Sequence, residues 1–548
     1  MFHPAFISNM SSRSAARLAL AAAALAVLAC PLRAHAQSAA GPARNVPFVV
    51  HTTAGLVRGV AWHSSGAQFL GIPYAEPPLG ALRWRAPVPK THWTGVRDAN
   101  AFGASCAQPV LGDWNRHDAD TGKEDCLYLN VTTPAWPAAK PLPVMFWMHG
   151  GANQGGSGSG SLYNDGTLPE HGVVLVTINY RLGILGFFAH PALTSESPHH
   201  ASGNYGLMDQ ILALRWVRDN IARFGGDPNN ITVFGQSAGS MDTGMLMTSP
   251  LARGLFQKAI AESGVPLFPP LAPLDQAEHA GLGFAATFAI PGGQNPIAFL
   301  RQMPAQDLIA KAAKNPWGYA SVNPDIDGYV LPRSSAEVFK SGQEAPIPLL
   351  LGTTSREFGA SMPVDPLRKS IENATGQYAP QALALYGLAN GGQGADDPLY
   401  GSAANQWQAD SEFHCPITTV ALWHTAAHHP AHEYELDHAI PGQEAQGAVH
   451  SSDLPYVFGY FPRSGNIAGN FGDVDTKLAD LMESYWTNFA KTGDPNGRGL
   501  PPWPRLDDTQ RYLIFTEEGQ AIVSTGPLRG PQCDLFREVL AVRMKQPQ

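Results

Sequence analysis

A serine enclosed by glycines is the residue of this 548-residue chain whose surroundings best suit a nucleophile. Residues 235–239 read GQSAG. The four residues before them, ITVF, are typical of a buried strand, and residues 240–247 have a helical pattern. In such a strand–turn–helix the central Ser237 lies in a strained turn, and its neighbours must be nearly free of side chains because strand and helix crowd together. The sequence therefore predicts that Ser237 presents its hydroxyl to a substrate as a nucleophile.

A second glycine-rich segment has the composition needed to stabilise negative charge on a substrate carbonyl. Residues 148–152 read MHGGA and follow an apolar stretch that is typical of a buried strand. A loop directly after a strand can aim several backbone N–H groups at one point, and each such donor is worth about 2.7 to 4 kcal/mol of barrier height. We predict that Gly151, Ala152 and Ala238 supply these donors.

The segments around these residues indicate the scaffold that must position them. Apolar, β-rich stretches alternate with helical patterns, which is the order expected of an α/β fold with a mostly parallel central sheet flanked by helices. The clearest helix begins after Asn204, which we predict as its N-cap, and Gly225 predicts its left-handed end. The predicted strands are residues 144–148, 173–178, 231–234, 349–351 and 433–436.

Composition favours one large globular domain. Hydrophobic residues make up 44% of the chain and charged residues 15%, which excludes general disorder. The 56 glycines and 47 prolines follow no fixed period, so they indicate ordered loops rather than repeats. Because no linker or low-complexity segment divides the mature chain, we predict a single α/β domain over residues 37–548, with loop and helix excursions over the active site.

The charge balance argues against a nucleic-acid partner. The chain has 36 Lys and Arg against 45 Asp and Glu, a net charge of −9, and contains no run rich in Lys and Arg. Beyond the N-terminal stretch, no apolar segment of about 20 residues is free of charge and proline. We therefore expect no nucleic-acid partner and no integral membrane span. The sequence indicates nothing about oligomeric state.

The N-terminal residues are typical of an export signal. Arg13 and Arg17 precede the apolar residues 18–30, and residues 34–36, AHA, form the small-x-small pattern that a signal peptidase accepts. We predict a signal peptide at residues 1–36 and a secreted or periplasmic mature protein. The alternative is a lipoprotein cleavage box at residues 27–30, which would leave Cys30 acylated.

Export changes the interpretation of the other four cysteines, because an oxidising compartment favours disulfides. Four cysteines allow three pairings. The simplest is sequential, with Cys106 bonded to Cys126 and Cys415 bonded to Cys533. The alternative is that all four are buried free thiols.

Several ordered motifs together resemble the type-B carboxylesterase family of α/β-hydrolases, which includes bacterial para-nitrobenzyl esterases, cholinesterases and fungal lipases. Residues 69–75 (FLGIPYA), 82–84 (LRW) and 124–131 (EDCLYLNV) are similar to its N-terminal signatures, and the GQSAG turn and HGG loop complete the set. The resemblance covers nearly the whole mature chain. It implies an α/β-hydrolase fold and hydrolysis of a small-molecule carboxylic ester without a cofactor or metal. Both sequential disulfides match the family's pairing, and Arg83 with Glu124 matches a structural ion pair.

The resemblance also implies the partners of Ser237. Residues 350–357 (LLGTTSRE) are similar to the segment that carries the family's acid, which implies Glu357. Residues 447–458 (GAVHSSDLPYVF) are similar to the segment that carries its base, which implies His450. His450 would accept the serine proton and return it to the leaving alcohol, through an acyl-enzyme, while Glu357 orients the imidazole. Ser263 is similar to a supporting hydroxyl of the family.

Several positions differ from many relatives, among them Arg356 and Phe358, which flank Glu357 where relatives often have Asp and Gly. Gln236 stands where many have Glu, so a negative charge beside the nucleophile is missing, and we expect cationic substrates of the choline type to be disfavoured. Asn153 replaces a common aromatic residue after the oxyanion loop, which predicts an altered acyl or alcohol pocket. Short-chain aryl or alkyl esters are the default prediction, because spacing rules do not encode pocket shape.

Three other functions are alternatives to this prediction. The first is a catalytically inactive binding or adhesion homologue, which the intact Ser237, Glu357 and His450 argue against. The second is an esterase specialised for a bulky or polyanionic ester. The third is a metallohydrolase; its His428 and His432 are four residues apart, but Pro430 between them would break a shared helix. We therefore expect no catalytic metal. The candidate ligands of that third class are His424, His428, His429, His432 and His438.

Overall fold

The computed structural model describes residues 47–314 and 323–545. The predicted signal peptide at residues 1–36 and the alternative acylation site at Cys30 lie outside the described residues. In the part that is described, no helix combines the length and the hydropathy needed to cross a bilayer.

A central sheet of eleven strands organises the described part of the chain. Smaller sheets of three and two strands accompany it. The strands are β1 (Val49–His51), β2 (Leu56–Arg58), β3 (Val60–Trp62), β4 (Gly66–Pro73), β5 (Val96–Asp98), β6 (Tyr128–Thr133), β7 (Leu142–Met148), β8 (Val174–Ile178), β9 (Gly226–Gln236), β10 (Lys258–Glu262), β11 (Ala272–Pro273), β12 (Asp325–Ile326), β13 (Leu349–Thr354), β14 (Ala431–Leu436), β15 (Leu513–Phe515) and β16 (Ala521–Val523).

The order across the central sheet is β16-β15-β14-β13-β10-β9-β7-β8-β6-β4-β3. The strands from β15 to β8 in this order are parallel, whereas those at the two edges are antiparallel. The predicted mostly parallel sheet is therefore confirmed. Since the carboxyl ends of parallel strands meet at one edge, the segments that follow β9, β13 and β14 are brought together there.

The parallel strand β7 carries buried apolar side chains on both faces over residues 144–148, as a strand covered on both sides should. Successive side chains of β7 point to opposite faces: Phe146 joins one hydrophobic cluster and Trp147 the other. Leu214 packs in the first cluster and Trp486 in the second. Helices therefore cover both faces of the sheet.

The helices of the described residues vary from one turn to five. Long connections after β10 and after β13 each carry several of them, as the predicted excursions require. The connection after β13 forms a small hydrophobic cluster of its own, whereas the one after β10 packs with earlier residues such as Phe188 and Leu193. The helices are α1 (Arg116–Thr121), α2 (Ser161–Asn164), α3 (Gly183–Gly186), α4 (Pro191–Glu196), α5 (Tyr205–Asn220), α6 (Ala238–Thr248), α7 (Leu274–Ala285), α8 (Pro296–Leu300), α9 (Ala305–Ala312), α10 (Ser335–Lys340), α11 (Val364–Thr375), α12 (Ala379–Leu385), α13 (Ala403–Ala409), α14 (Cys415–Ala426), α15 (Leu454–Phe458), α16 (Asp473–Thr492) and α17 (Gly530–Arg543).

One detail of the predicted helix after Asn204 is wrong. Asn204 does occupy the N-cap position of α5, but its side chain makes no capping bond. Instead its Nδ2 donates to the Asp325 carbonyl over 2.9 Å, and its Oδ1 accepts from the Asp325 amide over 3.1 Å. The end of the helix is as predicted, since a short 3₁₀ turn leads into Gly225 with φ 88°.

Two disulfides follow the sequential pairing and exclude the alternative of four free thiols. Cys106 is bonded to Cys126, and Cys415 is bonded to Cys533. The second bond ties α14 to α17 across 118 residues of sequence. The predicted ion pair is also present, because Arg83 donates to both carboxylate oxygens of Glu124 at 2.7 and 2.6 Å.

Candidate active site

Ser237 occupies the sharp turn between β9 and α6. Its backbone has φ 57° and ψ −122°, a strained conformation for a residue with a side chain. A Cβ on Gly235 would overlap the Gly239 carbonyl, and a Cβ on Gly239 would overlap the Met148 carbonyl. Both flanking positions therefore require glycine. The turn is fixed by a 2.8 Å hydrogen bond from the Ser237 amide to the Glu262 carbonyl, while Ser237 itself stays partly exposed.

The HGG loop after β7 lies against this turn. A Cβ on Gly150 would come within 3.1 Å of the Ser237 Cβ, so the loop backbone passes directly beside the serine. Gly151 and Ala152 have φ 110° and 56°, which turns the chain sharply here. Among the residues that the structure describes, none accepts a hydrogen bond from the amides of Gly151, Ala152 or Ala238. Three amide donors are thus available near Ser237.

A buried polar contact anchors the HGG loop to α6. Asn153 Nδ2 donates to Asp242 Oδ1 over 3.0 Å, and Gln210 Nε2 donates to the other carboxylate oxygen over 2.5 Å. Burial raises the pKa of Asp242 to about 7, against which the two amide donors act. Asn153 is only 3% exposed, and its contact with Asp242 fixes the position of the loop. No feature of the sequence indicated this contact.

Glu357 and His450 meet at the ends of neighbouring strands. Glu357 follows β13 and is fully buried, and its Oε2 lies 2.5 Å from His450 Nδ1. The other carboxylate oxygen, Oε1, accepts from Ser263 Oγ over 2.8 Å and from the Thr354 amide over 3.0 Å. These contacts engage both carboxylate oxygens, so the carboxylate is held in one orientation toward the imidazole.

The second ring nitrogen of His450 faces the nucleophile turn. Its Nε2 lies 3.1 Å from Nε2 of Gln236, the residue before Ser237. Because Nδ1 faces a carboxylate, we assign the ring proton to Nδ1, which leaves the Nε2 lone pair to accept from the Gln236 amide. Phe358 stacks on the imidazole at 4.1 Å between centroids, and Phe413 lies at 5.2 Å. The ring can therefore act as a base at Nε2.

Two further buried carboxyl groups lie beneath the candidate site, and sequence reasoning missed both. Asp453 follows His450 by three residues and accepts from the Tyr434 hydroxyl over 3.1 Å. Burial, and next the charge of Glu357, raises its pKa to about 6. Glu262 accepts from Trp486 Nε1 over 2.7 Å, and burial followed by the charge of Asp453 raises its pKa well above the usual range. Burial thus favours the neutral forms of these two acids.

A cavity of about 290 Å³ lies next to the segments that carry Glu357 and His450, although neither His450 nor Ser237 lines it. Phe358, which stacks on His450, forms part of its wall together with Val449 and Arg356. The Arg356 guanidinium already donates to the backbone carbonyls of Pro398, Leu399 and Ala445. The cavity is therefore lined by an aromatic ring and by a cation whose donors are engaged.

The histidines of the metallohydrolase alternative are dispersed. His432 lies within β14 and His428 follows α14, so they share no helix face, as Pro430 predicted. His438 pairs with Asp475 at 3.1 Å. His424 and His429 do meet, but just before β14, at the edge of the sheet opposite to Ser237.

Comparisons with known proteins agree on the family. The sequence profile of the carboxylesterase family matches residues 46–535. The chain is 38% identical to fumonisin B1 esterase of Sphingopyxis macrogoltabida over 487 residues, which cover 85% of this chain and 86% of that protein. It is 35% identical to cocaine esterase of Homo sapiens over 534 residues, which cover 91% of this chain and 92% of that protein.

Solved structures give the same result. A PNB esterase superposes with a TM-score of 0.77 at 32% identity, covering 90% of this chain and all of that one. A thermophilic PNB esterase gives 0.76 at the same identity and coverage. The chain therefore belongs to the carboxylesterase family, and it is a carboxylester hydrolase with the α/β-hydrolase fold.

Proposed function

We propose that this chain is an exported serine esterase that cleaves small carboxylic esters through an acyl-enzyme on Ser237. The observation that carries the proposal is the hydrogen-bonded chain from Ser263 through Glu357 to His450, whose Nε2 faces the turn that holds Ser237. This arrangement supplies a base, its orienting acid and a strained, partly exposed hydroxyl in the order that acyl transfer requires.

In the proposed acylation, Ser237 Oγ attacks the ester carbonyl carbon while its proton moves to His450 Nε2. The carbonyl oxygen becomes an oxyanion and accepts from the free amides of Gly151, Ala152 and Ala238. The carbon–oxygen bond to the alcohol then breaks, and the proton on Nε2 passes to the departing alkoxide. Glu357 stabilises the imidazolium that exists between these two proton transfers.

Deacylation repeats these steps with water. His450 Nε2 takes a proton from water as its oxygen attacks the acyl carbon, and the same amides accept from the second oxyanion. The bond to Ser237 Oγ then breaks, Oγ recovers its proton from Nε2, and the carboxylic acid leaves.

Gln236 affects the first proton transfer. Its amide occupies the lone pair of His450 Nε2, so the amide must move aside before Ser237 can use that nitrogen. A hydrogen bond between neutral groups contributes only about 0.5–1.5 kcal/mol net. Breaking it is therefore a small cost beside the barrier of ester hydrolysis, and the substrate's arrival is sufficient to displace it.

We propose uncharged alkyl and aryl esters as substrates. Gln236 is neutral, so it places no negative charge beside the nucleophile that could attract a cationic alcohol group. The Arg356 guanidinium already donates to three backbone carbonyls, so it has few donors left for a polyanionic ester. One relative is named for fumonisin B1 and another for cocaine, which supports hydrolysis of bulkier esters as a second candidate.

We also propose export, with a signal peptide at residues 1–36 and one catalytic domain over residues 37–548. The two disulfides support an oxidising compartment, and the residues with described structure contain no helix able to cross a membrane. Grouping of Val46–Gln548 into one compact unit supports the single domain.

The decisive experiment compares Ser237→Ala with Ser249→Ala. Ser249 lies at the other end of α6 and donates to the Val330 carbonyl, so it is a matched buried serine away from the turn. With a chain-length series of nitrophenyl esters, we expect Ser237→Ala to lower kcat/KM by about 10⁴-fold or more. Ser249→Ala should keep wild-type turnover.

A fluorophosphonate reagent gives an independent readout of the same nucleophile. Intact mass and peptide mapping should place one adduct on Ser237 in the wild type and in Ser249→Ala, and none in Ser237→Ala. Turnover that survives in folded Ser237→Ala, or an adduct on another residue, would overturn the proposed mechanism. A series that peaks on long or branched esters would favour the second substrate candidate.

A further inference from the structure

Three side chains that can bind a metal meet at the edge of the sheet opposite to Ser237. Glu344 precedes β13, His424 lies in the last turn of α14, and His429 lies between α14 and β14. Glu344 Oε1 lies 2.8 Å from His424 Nδ1 and 3.1 Å from His429 Nδ1. One ligand atom from each residue lies within 4.8 Å of the other two.

This cluster is remote from the proposed chemistry. Its residues precede β13 and β14, whereas Glu357 and His450 follow the same two strands. Both strands have six residues, and at about 3.3 Å per residue each spans about 20 Å. An ion bound in the cluster would therefore contact neither the substrate nor the residues of the candidate site.

The hydrogen bonds of His424 leave one lone pair in an unfavourable position. Its Nε2 lies 2.8 Å from the Ile347 carbonyl, which can only accept, so Nε2 carries a proton. A neutral imidazole has a single N–H, and the Nδ1 lone pair then points at the Glu344 carboxylate. A cation between these two groups would satisfy both. A ring N–H donated to a backbone carbonyl is also the usual outer contact of a metal-binding histidine.

The carboxylate provides a second, independent indication. Glu344 is only 1% exposed, and its Oε2 has no hydrogen-bond partner among the described residues. A buried carboxylate oxygen without a partner is unfavourable, because the group has lost its water and gained nothing in exchange. A bound cation compensates that loss through one or both carboxylate oxygens.

We infer that Glu344, His424 and His429 form a structural site for a divalent transition-metal ion, with Zn²⁺ the best match. Two imidazole nitrogens and one carboxylate oxygen are ligands that Zn²⁺ accepts, at about 2.0–2.2 Å. Tetrahedral geometry then separates ligand atoms by about 3.3 Å. Two of the separations, 2.8 and 3.1 Å, are close to this value, and the third, within 4.8 Å, requires closure by up to about 1.5 Å.

His429 can provide both that movement and the route of entry. Its side chain is 16% exposed, whereas those of Glu344 and His424 are fully buried. Water can complete the fourth position on the exposed side. The ion would tie the end of α14 to the segments that lead into β13 and β14, so binding would stabilise the fold and leave hydrolysis unchanged.

The test uses the full mature protein, freed of metal by EDTA and then dialysed free of chelator. Zn²⁺ is titrated by calorimetry, and the thermal midpoint is measured with and without saturating Zn²⁺. We expect the wild type to bind one Zn²⁺ per chain and its Tm to rise by several degrees. His429→Ala should bind Zn²⁺ at least about tenfold more weakly and show no rise in Tm.

Two more variants make the result specific. Glu344→Gln keeps the size of the side chain but removes its charge, and we expect the same loss of binding. His428→Asn is the matched control, because His428 is exposed next to the cluster and asparagine tolerates its φ of 63°. It should bind Zn²⁺ like the wild type.

Esterase activity separates this site from a catalytic metal. Hydrolysis of a nitrophenyl ester should be the same before and after EDTA treatment in the wild type and in His429→Ala. Absence of Zn²⁺ binding in the wild type would overturn the inference. Unchanged binding in His429→Ala, or activity that requires Zn²⁺, would overturn it as well.

Discussion

His450 and Glu357 are joined twice. The His450 amide donates to the Glu357 carbonyl over 2.8 Å, and their side chains meet at 2.5 Å between Nδ1 and Oε2. Their strands, β13 and β14, are adjacent and parallel, so the segments that follow them emerge side by side. The proposed acid and base are therefore assembled as one unit of the sheet edge, although 93 residues separate them in sequence.

The hydroxyl of Ser263 is expected to position the proposed acid. In Ser263→Ala, Glu357 Oε1 loses one of its two donors and is less firmly held against His450. A hydrogen bond to a charged group is worth about 1.5–3 kcal/mol. Because the imidazolium forms only during reaction, the loss should appear in kcat, by about tenfold, with KM unchanged within about twofold.

Steady-state kinetics on one nitrophenyl ester can check this prediction. Ser249→Ala is again the control, since it removes a buried hydroxyl that donates to a carbonyl away from the site. A fall in thermal stability without a fall in kcat would show that Ser263 supports only the fold. Equal losses of kcat in Ser263→Ala and Ser249→Ala would also show that the Ser263 hydroxyl has no specific effect on the reaction.

Gln236→Glu should change the preference for substrate charge. The carboxylate would lie beside Ser237 and His450, where it attracts a cationic alcohol group. Gln236 is only 3% exposed, and at an effective dielectric constant of about 20 this attraction amounts to about 1–2 kcal/mol, or about tenfold in rate. We expect the ratio of kcat/KM for a choline ester to that for its uncharged dimethylbutyl isostere to rise by about tenfold.

Gln236→Ala separates charge from the loss of the amide. It removes the bond to His450 Nε2 without adding a carboxylate, so the ratio of the two substrates should stay at the wild-type value. If Gln236→Ala changes the ratio as much as Gln236→Glu does, charge beside the nucleophile is not what selects the alcohol.

Local steric and burial requirements made much of this molecule predictable. The glycines of the GQSAG turn fill positions where a Cβ would overlap neighbouring backbone, and a fully buried parallel strand such as β8 leaves a continuous apolar run. Glu357 and His450 have no comparable local signal among the many acids and 19 histidines. They were found only through the resemblance of their flanking residues to a known family.

Polar contacts between distant segments could not be predicted from the sequence. Asn153 reaches Asp242 across 89 residues, and Asn204 reaches Asp325 across 121. Helical periodicity correctly predicts where α5 begins, but a local capping rule cannot foresee that a strand offers the Asn204 side chain better partners. The buried acids Asp453 and Glu262 were missed for the same reason, since the spacing of residues along the chain does not reveal which distant side chains pack against them.

The disulfide between Cys415 and Cys533 should contribute more stability than the other one. It closes a loop of 118 residues, whereas Cys106 and Cys126 are 20 apart. In the chain-entropy estimate, loops of about 100 and about 15 residues are worth about 4.7 and about 3 kcal/mol. We expect the paired alanine variant at Cys415 and Cys533 to lose the larger free energy of unfolding, measured by urea denaturation.

The two paired variants control for each other. All four cysteines are nearly fully buried, so the cavities left by alanine are similar and the loop length is the main difference. Reducing agent should bring the wild type close to the combined variants. A larger loss from the Cys106 and Cys126 pair would contradict the entropic explanation.

Asp242 should make folding stability depend on pH. Burial raises its pKa in the folded protein to about 7, whereas the ordinary value is 3.8. Between these values the folded state holds a proton that the unfolded state has released, so the stabilising contribution falls as pH rises toward 7. Asp242→Asn removes this titration. Its stability relative to the wild type should therefore increase between pH 5 and pH 8 by on the order of 2 kcal/mol.

Denaturation by urea at several pH values measures this difference. Asparagine accepts poorly from both Asn153 and Gln210, but that loss is the same at every pH and cancels from the comparison. Asp508→Asn, at an exposed site, controls for the change in net charge. Parallel pH profiles for the wild type and Asp242→Asn would show that Asp242 is ionised throughout, stabilised by its two amide donors more than burial opposes it.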